Sequence, residues 1–434
     1  MEEKNSEKKE RKMRDSGIPW IGEMPEGWGM SPLKYNYNII AGATPDSTKQ
    51  NFWDGNIKWI TPADYKTKDV YVSFGKRNLT SAGYKACSTH MLPKGSIVIS
   101  KRAPIGSVAI TTSDLCTNQG CLGLVAKNKF VNNKYFYYVL SIYDDVLNLY
   151  GSGTTFKEIS ANVFSNIEFP LPSVTIQNSI ADFLDSKCSE IDTLIENLCA
   201  RVESVKEYKK AIITEAVTKG LDKNTKMKDS GVEWIGEIPD GWEIVPAKYL
   251  FSNSDKRKSL NDEQLTSSQK YGIITQKEYM QRENAKIVMA TQGIEKWKHV
   301  EPNDFIISLR SFQGGLEMSE ITGCITWHYV VLKPVKEIIP RYYKWFFKSD
   351  VYIKALQNTC NFIRDGQDLR YSNFVQVPLI DIPLKEQYKI ADYLDSKCSE
   401  IDALLQNYED QIATLEEYKK SIIYEYVTGK KEVC

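Results

Sequence analysis

Two long stretches of the chain share one pattern of apolar positions. Residues 176–219 and 384–428 contain neither glycine nor proline, and their apolar side chains recur at steps of 4, 4, 3, 4, 3, 4 and 3. The positions are Ile180, Leu184, Cys188, Ile191, Ile195, Leu198, Val202 and Val205, and then Ile390, Leu394, Cys398, Ile401, Leu405, Tyr408, Ile412 and Leu415. This spacing is typical of a coiled-coil seam. Because a glycine follows each stretch, we predict two long helices over 176–220 and 384–429.

The helices are part of an internal duplication. Residues 13–28 recur at 227–242 with 11 of 16 positions identical, and residues 180–192 recur at 390–402 with 12 of 13 identical. We call 13–28 and 227–242 the first and second entry segments. The chain is therefore two copies of one plan, each with an entry segment, a globular region and a long helix.

The link between the copies favours antiparallel pairing of the helices. The polar stretch 221–226 and its flanks, some eight residues, reach at most about 28 Å. A parallel pair would require a return over the whole helix, roughly 65 Å. We therefore expect an antiparallel two-helix coiled-coil spacer that separates two globular domains related by a pseudo-twofold axis. Pairing with another molecule is the alternative.

Both globular regions mix short strand-like runs with one clear helix. Strands are predicted at 96–100 and 108–112, with 305–309 at the place of the first in the second copy. Aromatic-rich helical patterns cover 132–150 and 340–357. The predicted fold class is α+β, with two mixed α/β domains.

The predicted organisation has five parts. They are a disordered tail over 1–12, a first domain with its entry segment over 13–175, a central long helix over 176–220, a second domain with its entry segment over 227–383, and a C-terminal long helix over 384–429.

Charge is segregated along the chain, although the 434 residues include 56 basic and 56 acidic ones. Region 29–175 has 15 basic and 9 acidic residues, and region 243–383 has 19 and 16. The two helical stretches are acidic, with 6 basic against 8 acidic residues and 5 against 10. A phosphate backbone attracts the globular regions and repels the helices, which favours a nucleic-acid partner. Ordinary solvated faces are the alternative.

Base reading requires guanidinium, amide and hydroxyl groups on positioned loops. The first copy offers such groups after its strands, and the second offers them at corresponding places. The candidates are Lys58, Trp59, Lys101, Arg102, Asn118, Gln119, Ser152, Thr154, Thr155 and Lys157, then Arg310, Ser311, Gln313, Trp327, His328, Arg364, Gln367 and Arg370. Turn chemistry is the alternative for each loop taken alone.

Motifs for catalysis, metal binding and membrane insertion are missing. The sequence has no P-loop, no Gly-x-Gly-x-x-Gly after a strand, and nine scattered cysteines without a Cys-x-x-Cys pair. The three histidines are far apart, so we expect no metal and no cofactor in this chain. No stretch is apolar enough to cross a membrane, and residues 1–12 have no apolar core, so we expect the cytosol.

The chain resembles the specificity subunits of type I restriction–modification enzymes. The resemblance rests on the doubled Gly-x-x-Trp-Ile-Gly-x-x-Pro-x-Gly-Trp and Gln-x-x-Ile-Ala-x-x-Leu-Asp segments, and on the stretches 57–64, 99–106 and 118–120. In the second domain, 310–315 differs from the matching 101–106, and no Asn-Gln-Gly follows. This departure concerns the contact residues more than the fold.

The resemblance implies a non-catalytic reader of double-stranded DNA. Each domain would recognise one half of a bipartite asymmetric site. The helices would dock two methyltransferase subunits through acidic residues, for which we select Asp182, Asp185, Glu190, Asp392, Asp395 and Glu400. Partner subunits would use S-adenosylmethionine, ATP and Mg, and restriction subunits would join the complex. An interaction scaffold with two end domains and a nuclease fragment are the competing classes, disfavoured by the charge segregation and by the missing carboxylate spacing.

Overall fold

The computed structural model describes residues 11–66, 69–102, 104–151, 157–284, 293–308, 311–359 and 369–433. The chain forms two compact units: the first is Met1–Leu198 with Gln411–Cys434, and the second is Cys199–Asp410. Each unit therefore contains one globular region, the N-terminal part of one long helix and the C-terminal part of the other. The α+β prediction is confirmed.

The two long helices extend over Val174–Lys219 and Leu384–Val427. We call them the central and the C-terminal long helix. Both end before a glycine with left-handed backbone, Gly220 at φ +77° and Gly429 at φ +74°. Glycine adopts this conformation at little cost, which explains the helix stops that the sequence predicts. In the part of the chain that the structure describes, no helix is both long and apolar enough to span a membrane.

The first unit is built on a five-stranded sheet in which the strands Ile97–Ser100 and Val108–Thr111 are completely buried. Its order is Tyr37–Ala41, Cys121–Ala126, Ile97–Ser100, Val108–Thr111 and Tyr71–Val72. A three-stranded sheet has the order Cys116–Thr117, Trp53–Ile60 and Arg77–Leu79. Two antiparallel pairs complete the unit, Met13–Asp15 with Glu23–Pro25 and Gly29–Pro32 with Glu168–Leu171. The strands predicted at 96–100 and 108–112 are confirmed within one residue at their ends.

The second unit has a four-stranded sheet and four strand pairs. The sheet order is Phe251–Ser254, Val330–Pro334, Phe305–Ile307 and Glu317–Met318. The pairs are Met227–Asp229 with Glu237–Pro239, Glu243–Val245 with Leu379–Asp381, Leu265–Ser268 with Gly272–Thr275, and Lys298–Val300 with Gly323–Ile325. The strand predicted at 305–309 is observed to Ile307, and Leu309 lies outside the described residues.

Each globular region contains more helices than the one clear helix that the sequence predicts. Among the described residues, each region has five short α-helices beside its strands. In the first they are Leu33–Asn36, Ser81–Lys85, Asn133–Ser141, Asp144–Tyr150 and Ala161–Asn166. In the second they are Gln276–Glu283, Ser311–Gly314, Pro340–Phe346, Asp350–Asn358 and Tyr371–Phe374.

Each predicted aromatic helix is in fact a pair of helices. In the first unit, Tyr143 (φ −105°, ψ 15°) interrupts the helix, and its ring packs edge-on against Trp20 at 4.1 Å between centroids. In the second unit, Ser349 has extended backbone (φ −69°, ψ 141°), which cannot continue a helix. Burial of an aromatic ring against the entry segment thus overrides the helical periodicity in the first unit.

Within each unit, the two long-helix segments run antiparallel. In the first unit Phe183 packs on Tyr426, with ring centroids 4.3 Å apart, and Asp192 accepts a hydrogen bond from Lys419 Nζ at 2.6 Å. Between these two contacts the residue number increases along the central helix and decreases along the C-terminal helix. In the second unit the equivalent pair is Lys209 Nζ with Asp402 Oδ1, at 2.6 Å. The seam positions predicted from the sequence are buried or half-buried.

The entry segments cover the C-terminal ends of the long helices. In the first unit, a Cβ at Gly429 would lie 2.6 Å from Pro25, and Lys430 Nζ donates to the Ile21 carbonyl at 2.9 Å. In the second unit, Gly220 lies against Trp242. The duplicated entry segments therefore pack over the C-terminal ends of the long helices.

A buried glutamine fixes the start of each long helix. Gln177 Nε2 donates to the carbonyls of Phe130 and Pro172 at 3.0 and 2.8 Å, and its Oε1 accepts from Asn132 N–H at 2.8 Å. Gln387 makes the matching bonds in the second unit, to the Ile382 carbonyl and from Ile339 N–H. These amides satisfy backbone groups that water cannot reach.

We expect Gln177→Ala to lower the free energy of unfolding of the first unit by about 2–4 kcal/mol, because it leaves several backbone groups buried without partners. Urea unfolding of the full chain, followed by tryptophan fluorescence, measures this. The matched control is Gln406→Ala, since Gln406 is exposed and its amide donates to Asp410 of the same helix. Equal effects of the two changes would contradict the role given to the buried amide.

Candidate nucleic-acid interface

Backbone hydrogen bonds bring three of the predicted loops of the first unit together. Lys101 N–H donates to the Gly120 carbonyl at 2.9 Å, and Ile159 N–H donates to the Lys101 carbonyl at 3.0 Å. Asn118 N–H donates to the Ile60 carbonyl at 3.0 Å, at the end of the strand Trp53–Ile60. We call Thr44, Lys101, Arg102, Asn118, Gln119 and Glu158 the loop cluster.

Two basic side chains of the loop cluster share one carboxylate. Lys101 Nζ lies 2.8 Å from Glu158 Oε1, and Arg102 Nε donates to Glu158 Oε2 at 2.8 Å. The side chain of Lys101 is 14% exposed and that of Arg102 is 46% exposed. Hydrogen bonds from these two cations hold the pKa of the Glu158 carboxyl below its usual value. The carboxylate is therefore charged at neutral pH and fixes both cations at the surface.

The amides of the loop cluster have different roles. Asn118 Oδ1 accepts from Gly120 N–H at 2.9 Å, so this side chain shapes the turn. Gln119 is exposed, and its Oε1 bonds to the Thr44 hydroxyl. The loop also passes close to Gly42, where a Cβ would be 2.2 Å from the Asn118 carbonyl oxygen. Gln119 is thus the amide that faces solvent.

Lys58 and Trp59 lie on the strand that supports the loop cluster. Lys58 Nζ donates to Ser113 Oγ at 2.9 Å and remains partly exposed. Trp59 is 7% exposed, its indole N–H donates to the Ala43 carbonyl at 3.1 Å, and its ring packs edge-on against Trp53. The Trp59 indole therefore supports the surface from beneath.

In the second unit the predicted residues are less closely connected. Trp327 and His328 are exposed and stack on each other, with centroids 3.5 Å apart. Ser311 is buried and its hydroxyl accepts from Ser308 N–H at 2.8 Å, which gives it a role in the start of a short helix. Gln313 is exposed on that helix, and Arg370 is exposed before the helix Tyr371–Phe374.

Several of the predicted contact residues lie outside the described part of the chain. They are Ser152, Thr154, Thr155, Arg310, Arg364 and Gln367. Lys157 is described and exposed, next to Glu158 of the loop cluster.

Two of the six acidic helix residues selected for docking each accept from two donors of their own globular region. Asp185 accepts from Lys134 Nζ and, at 2.7 Å, from the Tyr138 hydroxyl. Asp395 accepts from Arg341 at 2.5 Å and from Trp345 Nε1 at 2.7 Å. In each unit the two donors are four residues apart on one short helix, so they reach the same carboxylate.

The other four acidic residues are exposed, and of these Asp392 also bonds to its globular region. Glu190 pairs with Lys187 and Glu400 pairs with Lys397, at 2.8 and 2.9 Å, within their own helices. Asp392 is largely exposed, although its carboxylate accepts from Arg341 at 2.7 Å. Asp182 is exposed as well.

The structure also shows polar groups that sequence reasoning did not select. Glu158 is one, and the only sequence signal for it is its place directly after Lys157 in a basic region. In the second unit His299 is buried between Asp262 (2.7 Å) and Glu301 (3.1 Å). Hydrogen bonds from Lys256 and Lys333 lower the pKa of Glu301 to about 2. Across the described ranges, no group of three His, Cys, Asp or Glu side chains is placed to hold a metal ion.

Comparison with known proteins confirms the family resemblance. Residues 25–204 match the family model "Type I restriction modification DNA specificity domain". The chain is similar to the type I restriction enzyme MjaIX specificity subunit of Methanocaldococcus jannaschii, with 34% identity over 236 residues, 52% of this chain and 51% of that protein. It is also similar to the putative type I restriction enzyme MjaX specificity subunit of that organism, with 29% identity over 46% of this chain and 44% of that protein. The chain spans about half the length of these curated relatives.

The fold is shared with a solved structure. A chain from work described as "Structural basis underlying complex assembly and conformational transition of the type I R-M system" superposes with a TM-score of 0.68. The superposition covers 94% of this chain and 99% of that one, at 14% identity. At this identity the likeness concerns the fold.

We expect Asp395→Ala to destabilise the second unit by about 1–2 kcal/mol, because two charge-assisted donors lose a partly buried acceptor. Urea unfolding of the full chain reports the change. Glu400→Ala is the control: its exposed pair with Lys397 within one helix contributes less than about 0.5 kcal/mol. If Asp395→Ala were as stable as Glu400→Ala, the carboxylate would not attach the helix to the globular region.

Proposed function

We propose that this chain, in which residues 25–204 match the type I restriction–modification DNA specificity domain, recognises double-stranded DNA as the specificity subunit of such a complex. The observation that carries the proposal is that this matched segment contains Lys101, Arg102 and Gln119 of the loop cluster. Base edges are read by guanidinium and amide groups of this kind. The loop cluster lies in the unit with the larger basic excess in its globular region.

The proposed target is bipartite and asymmetric. Each unit has its own globular region, and the two regions differ in sequence at matching places, such as 101–106 against 310–315. Two different readers in one chain recognise two different half-sites. The near-identical segments, in contrast, build the same helix ends in both units.

The proposed partners are two methyltransferase subunits, together with restriction subunits. The long helices present near-identical acidic segments, which offers one partner the same surface twice. In this proposal the chain itself is non-catalytic. The methyltransferase subunits use S-adenosylmethionine and the restriction subunits use ATP and Mg.

A salt-dependent gel shift tests the proposal against the other classes. The full chain is mixed with duplex DNA, with and without the co-expressed methyltransferase, over a range of salt concentrations. A specificity subunit gives sequence-selective binding whose affinity falls steeply with salt. No DNA binding in the presence of the methyltransferase would favour a protein scaffold, and DNA cleavage by the chain alone would favour a nuclease.

The repeated helix surfaces predict the stoichiometry of the methyltransferase complex. Native mass measurement of the reconstituted complex should give two methyltransferase subunits per chain. A charge reversal at an outward-facing position, Asp182→Lys, should weaken one of the two sites. A one-to-one complex that persists in excess partner would contradict the proposal.

The two readers should be exchangeable. Replacing residues 243–383 by the corresponding region of a relative should change one half of the recognised sequence and leave the other half unchanged. Sequencing of methylated sites in cells that carry the exchanged chain reports both halves. An exchange that altered both half-sites would rule out independent reading by the two units.

A further inference from the structure

One nitrogen of the Arg102 guanidinium bonds within the protein, and the other two can donate to a ligand. Its Nε donates to Glu158 Oε2 at 2.8 Å, while its Nη1 and Nη2 make no hydrogen bond to any described residue. The side chain is 46% exposed. The two terminal amino groups are the pair that binds O6 and N7 of guanine in a bidentate contact in the major groove.

The surroundings of Arg102 hold its guanidinium in place. Arg102 and Glu158 also form an isolated antiparallel β-bridge, so the backbones of donor and acceptor are in register. The other oxygen of Glu158 binds Lys101 Nζ at 2.8 Å, which keeps the carboxylate from turning away. An arginine oriented in this way loses little conformational freedom when it binds.

The charge balance argues against a simple phosphate contact. Lys101, Arg102 and Glu158 together carry one net positive charge, and the carboxylate lies within hydrogen-bond distance of both cations. A phosphate that approached Arg102 would meet this negative charge. A guanine edge carries no net charge, so the carboxylate repels it much less.

We propose that Arg102 reads a guanine in one half-site and that Glu158 is the positioning residue that orients it. The proposal rests on the proposed function and deepens it, because it assigns one base and one pair of residues to the reading surface of the first unit. Removing Glu158 should therefore reduce discrimination even though it removes a negative charge from a DNA-binding face.

The test separates base reading from attraction to phosphate. The full chain with its co-expressed methyltransferase selects duplexes from a randomised pool, and the bound duplexes are sequenced. For Arg102→Lys we expect the guanine preference at one position of one half-site to fall by about 5- to 150-fold, with all other positions retained, since lysine keeps the charge and loses the fork. The slope of affinity against salt should stay unchanged.

Variants of Glu158 test the positioning role. Glu158→Ala should relax the same single base position, while affinity for unrelated duplex DNA stays equal or rises. Glu158→Gln should retain much of the preference, because its amide oxygen still accepts from Arg102 Nε. Circular dichroism and thermal unfolding confirm that each variant is folded.

Asp145→Asn is the matched control for loss of an acidic charge nearby. Asp145 is exposed on the helix Asp144–Tyr150, whose first residue lies against Gly106 in the loop after Arg102. This change should leave every base preference as it is. It reports the effect of charge alone on affinity.

The outcomes are distinct. Unchanged guanine preference in folded Arg102→Lys would overturn the inference, and so would an even loss of affinity for all sequences, which marks a phosphate contact. Relaxation by Arg102→Lys without relaxation by Glu158→Ala would remove Glu158 from the inference. If the wild-type complex selected no sequence at all, the proposed function itself would fail.

Discussion

The burial of a long-helix C-terminus inside a globular region is the constraint on which each unit depends. The last carbonyls of a helix have no partner within the helix, so burial requires donors from elsewhere. In the first unit the Tyr135 hydroxyl donates to the Val427 carbonyl at 3.0 Å, and in the second the Tyr342 hydroxyl donates to the Val217 carbonyl at 3.2 Å. Both tyrosines are completely buried. The core of the first unit is therefore complete only when residues from the far end of the chain have joined it.

This constraint explains which parts of the sequence are duplicated. The entry segments, the buried glutamines and the ends of the long helices all contribute to the same joint in both units. Their geometry is fixed by buried hydrogen bonds, which tolerate few substitutions. The loops after the strands are less constrained at Arg102 and Gln119, because both of these residues are exposed. The two units can thus have different surface loops although the contacts between entry segment, buried glutamine and helix end are the same in both.

The sequence allowed accurate prediction of the elements whose pattern is long and periodic. The long helices begin and end within two residues of the predicted limits, and the seam spacing identified their contact face. The paired short helices were missed, because the break at Tyr143 comes from packing on Trp20, which no local pattern shows. The contact residues remain predictions. Sequence identified Lys101 and Arg102 by their place after a strand, but it could not identify Glu158, which is distant in sequence and close only in the folded chain.

Acidic side chains show why net charge is an incomplete guide to a binding surface. Asp185, Asp395 and Glu158 each accept hydrogen bonds from two donors of their own unit. Their negative charge is therefore partly balanced within the molecule. The acidic excess of the long helices consequently overstates what a partner subunit would meet, and outward-facing residues such as Asp182 matter more. In the loop cluster, Glu158 lowers the net positive charge of the surface. The same carboxylate also fixes the direction of the Arg102 guanidinium. Attraction to DNA depends on the sum of charges, whereas discrimination between bases depends on how each donor is held. A DNA-binding surface with a small net charge and firmly oriented donors binds DNA of any sequence more weakly and discriminates better between bases.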